Sequence, residues 1–176
     1  MRFLAFSLAL VAGFSYGQIQ SDWERANEER IKQSYEKQVA APPLERSRLV
    51  EVKLEPSATT DFRYYVDWGS VSAGEDRIVR YVLIARSASG AESVSFEGIR
   101  CQSREYRVYA VGKPEGGWTG RASEWRPIPR QWNSSQAALA RQYFCPGRAA
   151  IKTSEEGQQA VRAGGHPGVF RDLRQD

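Results

Sequence analysis

Apolar and polar positions alternate along the middle of the chain with the two-residue period of a β-strand. Phe62, Tyr64, Val66 and Trp68 fall on one parity, and Arg63, Tyr65 and Asp67 on the other, the pattern of a strand with one buried face. Residues 77–86 differ. Val79, Tyr81 and Leu83 on one parity and Ile78, Val82 and Ile84 on the other are all apolar, which predicts a central strand covered on both sides. Further strands are expected over 48–54, 92–101 and 104–111, with an edge strand near 124–128, where Pro127 is tolerated. Turn-forming residues at 69–74 and 87–90 separate runs too close together for crossovers, so the pairing should be antiparallel. The expected fold class is α+β, with an antiparallel sheet of about five strands packed with a C-terminal helix and preceded by a mostly solvated N-terminal helix.

The helical signals flank this core. Ser21-Asp22-Trp23-Glu24 fits a capping box, but Trp23, Ile31, Tyr35 and Val39 make a thin stripe, so the helix over 21–39 should lie loosely outside the fold. Pro42-Pro43 reads as a stiff extended linker. Asn133 begins a capping run for a helix to about Phe144, with Trp132 placed to staple it and Pro146-Gly147 to stop it. Asn133-Ser134-Ser135 is also a glycosylation sequon, though capping accounts for it. Beyond Arg148 the chain is polar and glycine-rich, which reads as a peripheral helix from about Ser154 and a mobile tail.

Parity breaks once inside a strand. Val94 and Phe96 share a face with Gly98 and Arg100, whereas Ile99 and Cys101 point away with Glu97. One extra residue at Glu97-Gly98 brings the apolar side chains to one face, so a β-bulge is expected there, with a regular strand covered on both faces as the rival. Bulges often aim a side chain near a functional site. Glu97 is a candidate functional position for that reason, and Trp118, in the glycine-rich loop over 112–123, is a second.

The first seventeen residues change the setting. Arg2, the apolar run 3–14 and Ser15-Tyr16-Gly17 have the three parts of a signal peptide. The run is too short to span a bilayer, and no later stretch is apolar enough, so a soluble exported chain is expected. The expected organisation is therefore a signal peptide at 1–17, the helix and proline linker at 18–44, a sheet-plus-helix domain at 45–150 and the tail at 151–176. An exported chain with two cysteines, Cys101 and Cys145, predicts a disulfide. His166 is the sole histidine, and with two cysteines it shows no zinc spacing. The net charge of +4 is spread among acidic residues and forms no basic stripe, which argues against nucleic acid.

The residues Ser93-Val94-Ser95-Phe96-Glu97-Gly98-Ile99-Arg100-Cys101, then Arg104-Glu105-Tyr106-Arg107-Val108-Tyr109-Ala110, Trp125 and Tyr143-Phe144-Cys145 resemble the bacterial cryptic neisserial protein family over about residues 45–150. The resemblance implies an exported protein, in the periplasm, with no catalytic residues to transfer. Lipid anchorage of some relatives does not carry over, because no cysteine follows the apolar run.

Catalytic chemistry finds little footing. His166 sits in Gly-Gly-His-Pro-Gly, a poor frame for a rigid imidazole, and reads as a solvated tail residue. Asp67, Glu97, Glu105 and Glu124 could supply a carboxylate pair, but sequence does not place two at working distance. Mixed arginines and aromatics at 63–65 and 104–109 resemble a single-strand nucleic-acid platform, yet alternation sends half of the aromatics inward. No catalytic, cofactor or metal residue is assigned. The expectation is a periplasmic, or alternatively extracellular, binding module for another envelope protein or envelope component. The alternative is a carboxylate-based hydrolase of cell-wall or glycan substrates.

Overall fold

The computed structural model describes residues 36–54, 61–130 and 134–172. Its elements belong to the compact unit Lys37–Asp176. The expected signal peptide, most of the expected first helix, Trp132 and Asn133 lie outside the described residues. The described end of the first helix, residues 36–39, is not helical. Residues 37–45 form neither helix nor strand and are fastened to the domain by Lys37 N–H to Asp76 (3.0 Å) and Glu45 N–H to Asp67 (3.1 Å).

The sheet is antiparallel and α+β in class, as the alternation predicts. Its strands are β1 (Leu49–Val52), β2 (Phe62–Ala73), β3 (Ile78–Ser87), β4 (Glu92–Arg100), β5 (Glu105–Gly112), β6 (Trp118–Thr119) and β7 (Arg126–Pro127). They neighbour one another in chain order from β1 to β6, and β7 pairs with β5. β7 is the edge strand expected near 124–128, and the two-residue β6 lies within the segment expected as a glycine-rich loop. β2 runs through the segment expected as a loop. Its register slips between Asp67 and Ser72, and the Ser70 hydroxyl fills the gap, accepting from Val82 N–H (2.8 Å) and donating to the Asp67 carbonyl (2.6 Å).

Register fixes which side chains share a face. Tyr81 lies opposite Glu97, and Glu97 opposite Val108. Val52, Val66, Val79, Tyr81, Leu83 and Ile99 therefore form one face, which packs on the helices through Leu139, Tyr143, Phe144, Ile151 and Val161. Ile78, Val82, Ile84 and Phe96 on the second face are also buried. β3 is covered on both sides, as its apolar residues on both parities predict. Even Arg80 within it is buried, held by Asp76 at 2.6 Å.

Helix α1 begins at Ser135–Ala138, capped by the Ser134 hydroxyl, and continues with wider π-type bonding over Leu139–Phe144. A single 3-10 turn, Pro146–Arg148, follows. Helix α2 (Ser154–Arg162) starts on Thr153, whose hydroxyl accepts from Glu156 N–H (3.1 Å). The expectation of a peripheral tail is corrected here. Ile151, Ala160 and Val161 are fully or nearly buried, and Gln158 donates to the Val71 carbonyl of β2 (3.3 Å). The apolar positions of α2 are few but small and face one strand closely, so a narrow stripe suffices. A last helix, α3, spans Pro167–Asp172.

Candidate functional site

Glu97 is the most chemically unusual carboxyl of the sheet. It is 3% exposed and points into the core beneath α1. Its Oε2 accepts from the Tyr81 hydroxyl (3.0 Å) and from Gln136 Nε2 (3.0 Å), and its Oε1 from Ser95 (2.7 Å). Ser134 in turn donates to Gln136 Oε1 (3.0 Å) and fixes that side-chain amide. Burial pushes the Glu97 carboxyl above its ordinary value, and the three donors only partly offset that. The Tyr81 hydroxyl is raised well above its usual range, first by burial and then by Glu97.

The expected bulge is misplaced by one strand. β4 pairs with β3 without a break from Glu92 to Arg100, so the two-residue alternation holds through Glu97-Gly98. The slip lies across from it: Phe96 faces Ala110 while Glu97 faces Val108, leaving Tyr109 of β5 as the extra residue. Gly98 serves Tyr109. A Cβ there would sit 2.7 Å from the Tyr109 ring, so the glycine gives that ring its seat. Glu97 is inward because β4 is covered on both faces, the rival reading of the same residues.

The other carboxylates do not join it. Asp67 lies opposite Val82 and Glu97 opposite Tyr81, successive residues of β3, so the two point to opposite faces. Asp67 is engaged by Arg48 (3.1 Å). Glu105 pairs at the β7 edge with Pro127, and Glu124 is exposed.

Cys101 and Cys145 are bonded, with Cα atoms 5.4 Å apart. The bond ties the turn after β4 to the end of α1. Above it opens a cleft of about 210 Å³ walled by Arg104, Arg141, Arg148 and Ile128 together with both cysteines. Among the described residues no carboxylate lines it. Residues 16–162 match the CNP1-like family. The chain belongs to that family. No curated protein and no solved structure matches it. The match continues past the 45–150 stretch through the whole of α2, in keeping with the packing of that helix on β2.

In this CNP1-like chain the sequence candidates are divided between the two faces. Trp118 is half-buried in β6, its ring centroid 6.3 Å from that of Phe96, and its indole N–H donates to the Pro42 carbonyl (2.9 Å). It is not brought together with Glu97. His166, expected as a solvated tail residue, is 8% exposed, because α2 and the turn after it fold back on α1. Its Nδ1 accepts from Gly168 N–H (3.0 Å), which leaves Nε2–H to donate to Glu156 (2.9 Å). Burial opposes ionisation of Glu156, but the Lys152 backbone N–H and His166 hold its carboxyl below the ordinary value. On the second face Arg100 lies 4.0 Å over the Trp125 ring, and Arg107 5.3 Å from Tyr109.

The cleft arginines escape a reading by alternation or motif. Their signal is proximity to the cysteines in sequence: Arg104 and Arg148 each follow a cysteine by three residues, and Arg141 precedes Cys145 by four. Only the disulfide turns those three spacings into one wall.

Proposed function

We propose that this CNP1-like protein is an exported, non-catalytic module of the bacterial envelope that binds another envelope component, in line with its resemblance to the cryptic neisserial protein. The observation that carries the reading is the disposal of its carboxyl groups. A glycoside hydrolase of the usual kind needs two carboxyls facing one substrate across a cleft. Here Glu97 is saturated by Tyr81, Ser95 and Gln136 inside the core, and Asp67 faces the opposite side of the sheet. The signal-peptide pattern at 1–17 and the Cys101–Cys145 bond support export into an oxidising compartment. Among the described residues no helix is long and apolar enough to cross a membrane.

The test combines fractionation with in-cell crosslinking of the full chain. The protein should leave the cytoplasm with both thiols oxidised, and Glu97→Gln should crosslink to the same envelope component as the wild type. Cytoplasmic retention with two free thiols would overturn export. Hydrolysis of a glycan that disappears in Glu97→Gln would overturn the non-catalytic reading.

A further inference from the structure

We propose that the cleft over the Cys101–Cys145 bond binds a phosphate group, with Arg104 and Arg148 as its principal ligands and Arg141 as the third wall. The inference deepens the binding-module reading and rests on it for the envelope setting. Guanidinium groups favour phosphate because their planar donors match its oxygens in pairs and stay charged at any physiological pH. Four arginines of the fold meet carboxylates, Arg80 with Asp76, Arg48 with Asp67, and Arg46 and Arg86 with Glu92, while Arg100 and Arg107 lie over aromatic rings. No described carboxylate pairs with Arg104 or Arg148, and none lines the walls.

The backbone that presents these arginines is held in an uncommon form. Arg104 (φ 57°) and Arg148 (φ 68°) both occupy the left-handed region, as does Gly147 (φ 57°) between the disulfide and Arg148. Non-glycine residues take that conformation rarely, and it persists where the surroundings over-determine it, often at ligand sites. The surroundings do so here. The Arg104 carbonyl accepts from Ile128 N–H (2.8 Å), and Arg148 N–H donates to the Cys145 carbonyl (3.1 Å). The disulfide then locks one turn to the other. A volume of about 210 Å³ is small for an extended organic ligand, but holds a phosphate with the first atoms attached to it. Such a group belongs equally to free phosphate and to a phospholipid head, so the shared chemistry is the phosphate and the source is left to the test.

The test uses the oxidised chain at low ionic strength. Amide resonances are followed by NMR during titration with inorganic phosphate, with acetate as the carboxylate control. Phosphate should produce saturable shifts centred on residues 101–104 and 141–148. Arg104→Gln and Arg148→Gln should each weaken binding about tenfold, the loss expected when one charge-assisted hydrogen bond is removed. Thermal unfolding of both variants close to that of the wild type shows that the fold is intact. Co-sedimentation with phosphatidylglycerol vesicles but not phosphatidylcholine vesicles, lost in the same variants, assigns the site to a lipid head. Phosphate binding without vesicle binding assigns it to soluble phosphate. Equal response to acetate, non-saturating shifts spread over all basic residues, or full affinity in both variants would overturn the site. If the site fails while the in-cell crosslink survives, only this inference falls. If phosphate binds but the chain is not exported, the module reading falls instead.

Discussion

On the helix-covered face of the sheet a carboxyl, Glu97, is buried among neutral donors, while across the sheet Asp76 is buried against the guanidinium of Arg80. Burial opposes ionisation of both groups, yet the two carboxyls shift in opposite senses. For Glu97 the loss of water is the largest influence, no cation stands beside it, and its carboxyl is raised. Asp76 suffers the same opposition from burial, but the Arg80 guanidinium and the backbone N–H groups of Lys37 and Ile78 outweigh it and hold the carboxyl below its ordinary value. The two carboxyls differ in the kind of partner each meets: neutral donors for Glu97, a guanidinium for Asp76. The helix face recruits α1 through the Glu97–Gln136 bond. The second face recruits residues 37–45, since Arg80 also donates to the Lys37 carbonyl (3.0 Å).

The largest test asks whether the helix face depends on α2. A chain ending at Ala150 loses Ile151 and Val161, both buried. At about 1.5–3 kcal/mol for each buried side chain, and with Val71 left uncovered, the loss is roughly 5 kcal/mol, comparable with the whole stability of a small domain. Cooperative urea unfolding should disappear. A transition like that of the intact chain would mean that α2 is dispensable.

Next come the two carboxyls. Asp76→Asn leaves Arg80 buried without its countercharge and should cost about 3 kcal/mol. Glu97→Gln keeps the shape of a group already disfavoured as an anion and should cost less than about 1 kcal/mol near neutral pH. The signs with pH are opposite. Because the folded carboxyl of Glu97 is raised, its contribution is fully present below the ordinary carboxylate range and is lost as pH rises through the raised value. Asp76 is lowered, so its contribution is present above the ordinary range and is lost as pH falls through the lowered value. Against the wild type, Glu97→Gln should therefore gain in Tm as pH rises out of the acidic range, and the deficit of Asp76→Asn should shrink as pH falls. Parallel profiles would show that the two faces do not differ in the way described.

A third comparison concerns Tyr109, seated over Gly98. Gly98→Ala places a Cβ 2.7 Å from that ring and 3.1 Å from Ile78 Cγ2. Displacing the ring should cost about 2 kcal/mol, as other overpacked sites do. The change should appear in the near-ultraviolet aromatic signal, with the helix signal intact. An unchanged aromatic signal would mean that the ring does not depend on the glycine.

These residues also show where sequence suffices. The alternation at 62–68 and the apolar residues on both parities at 78–84 contain strand, parity and centrality, because side-chain direction follows directly from pleating. The Cys101–Cys145 bond follows from an even cysteine count and the export expected from residues 1–17. Tyr109 is different. Glu97-Gly98 carries a true sign of irregularity, but a glycine can mark a bulge in its own strand or room for an aromatic on the next, and one strand's sequence does not separate them. The burial of His166 and α2 is hidden for another reason. A short stripe of alanine, glycine and valine resembles a solvated helix until the opposing strand is known. The arginine cleft exists only once the disulfide joins two turns more than forty residues apart.

The smallest expected effect lies at the edge of the second face. Trp118→Phe keeps an aromatic ring near Phe96 but removes the indole N–H that the Pro42 carbonyl accepts at 2.9 Å. One hydrogen bond at a half-buried site contributes about 1 kcal/mol. The segment 37–45 retains its anchors at Asp76 and Asp67, so Tm should hardly move. The loss should be local: faster amide exchange and faster proteolysis within residues 37–45, with the strands β3 and β4 unaffected. Trp118→Ala removes the ring as well and should loosen the same segment further. If Trp118→Phe leaves exchange in 37–45 unchanged while weakening capture of an envelope partner, then the indole is a contact residue rather than an anchor. The second face would then bind outward instead of holding its own chain.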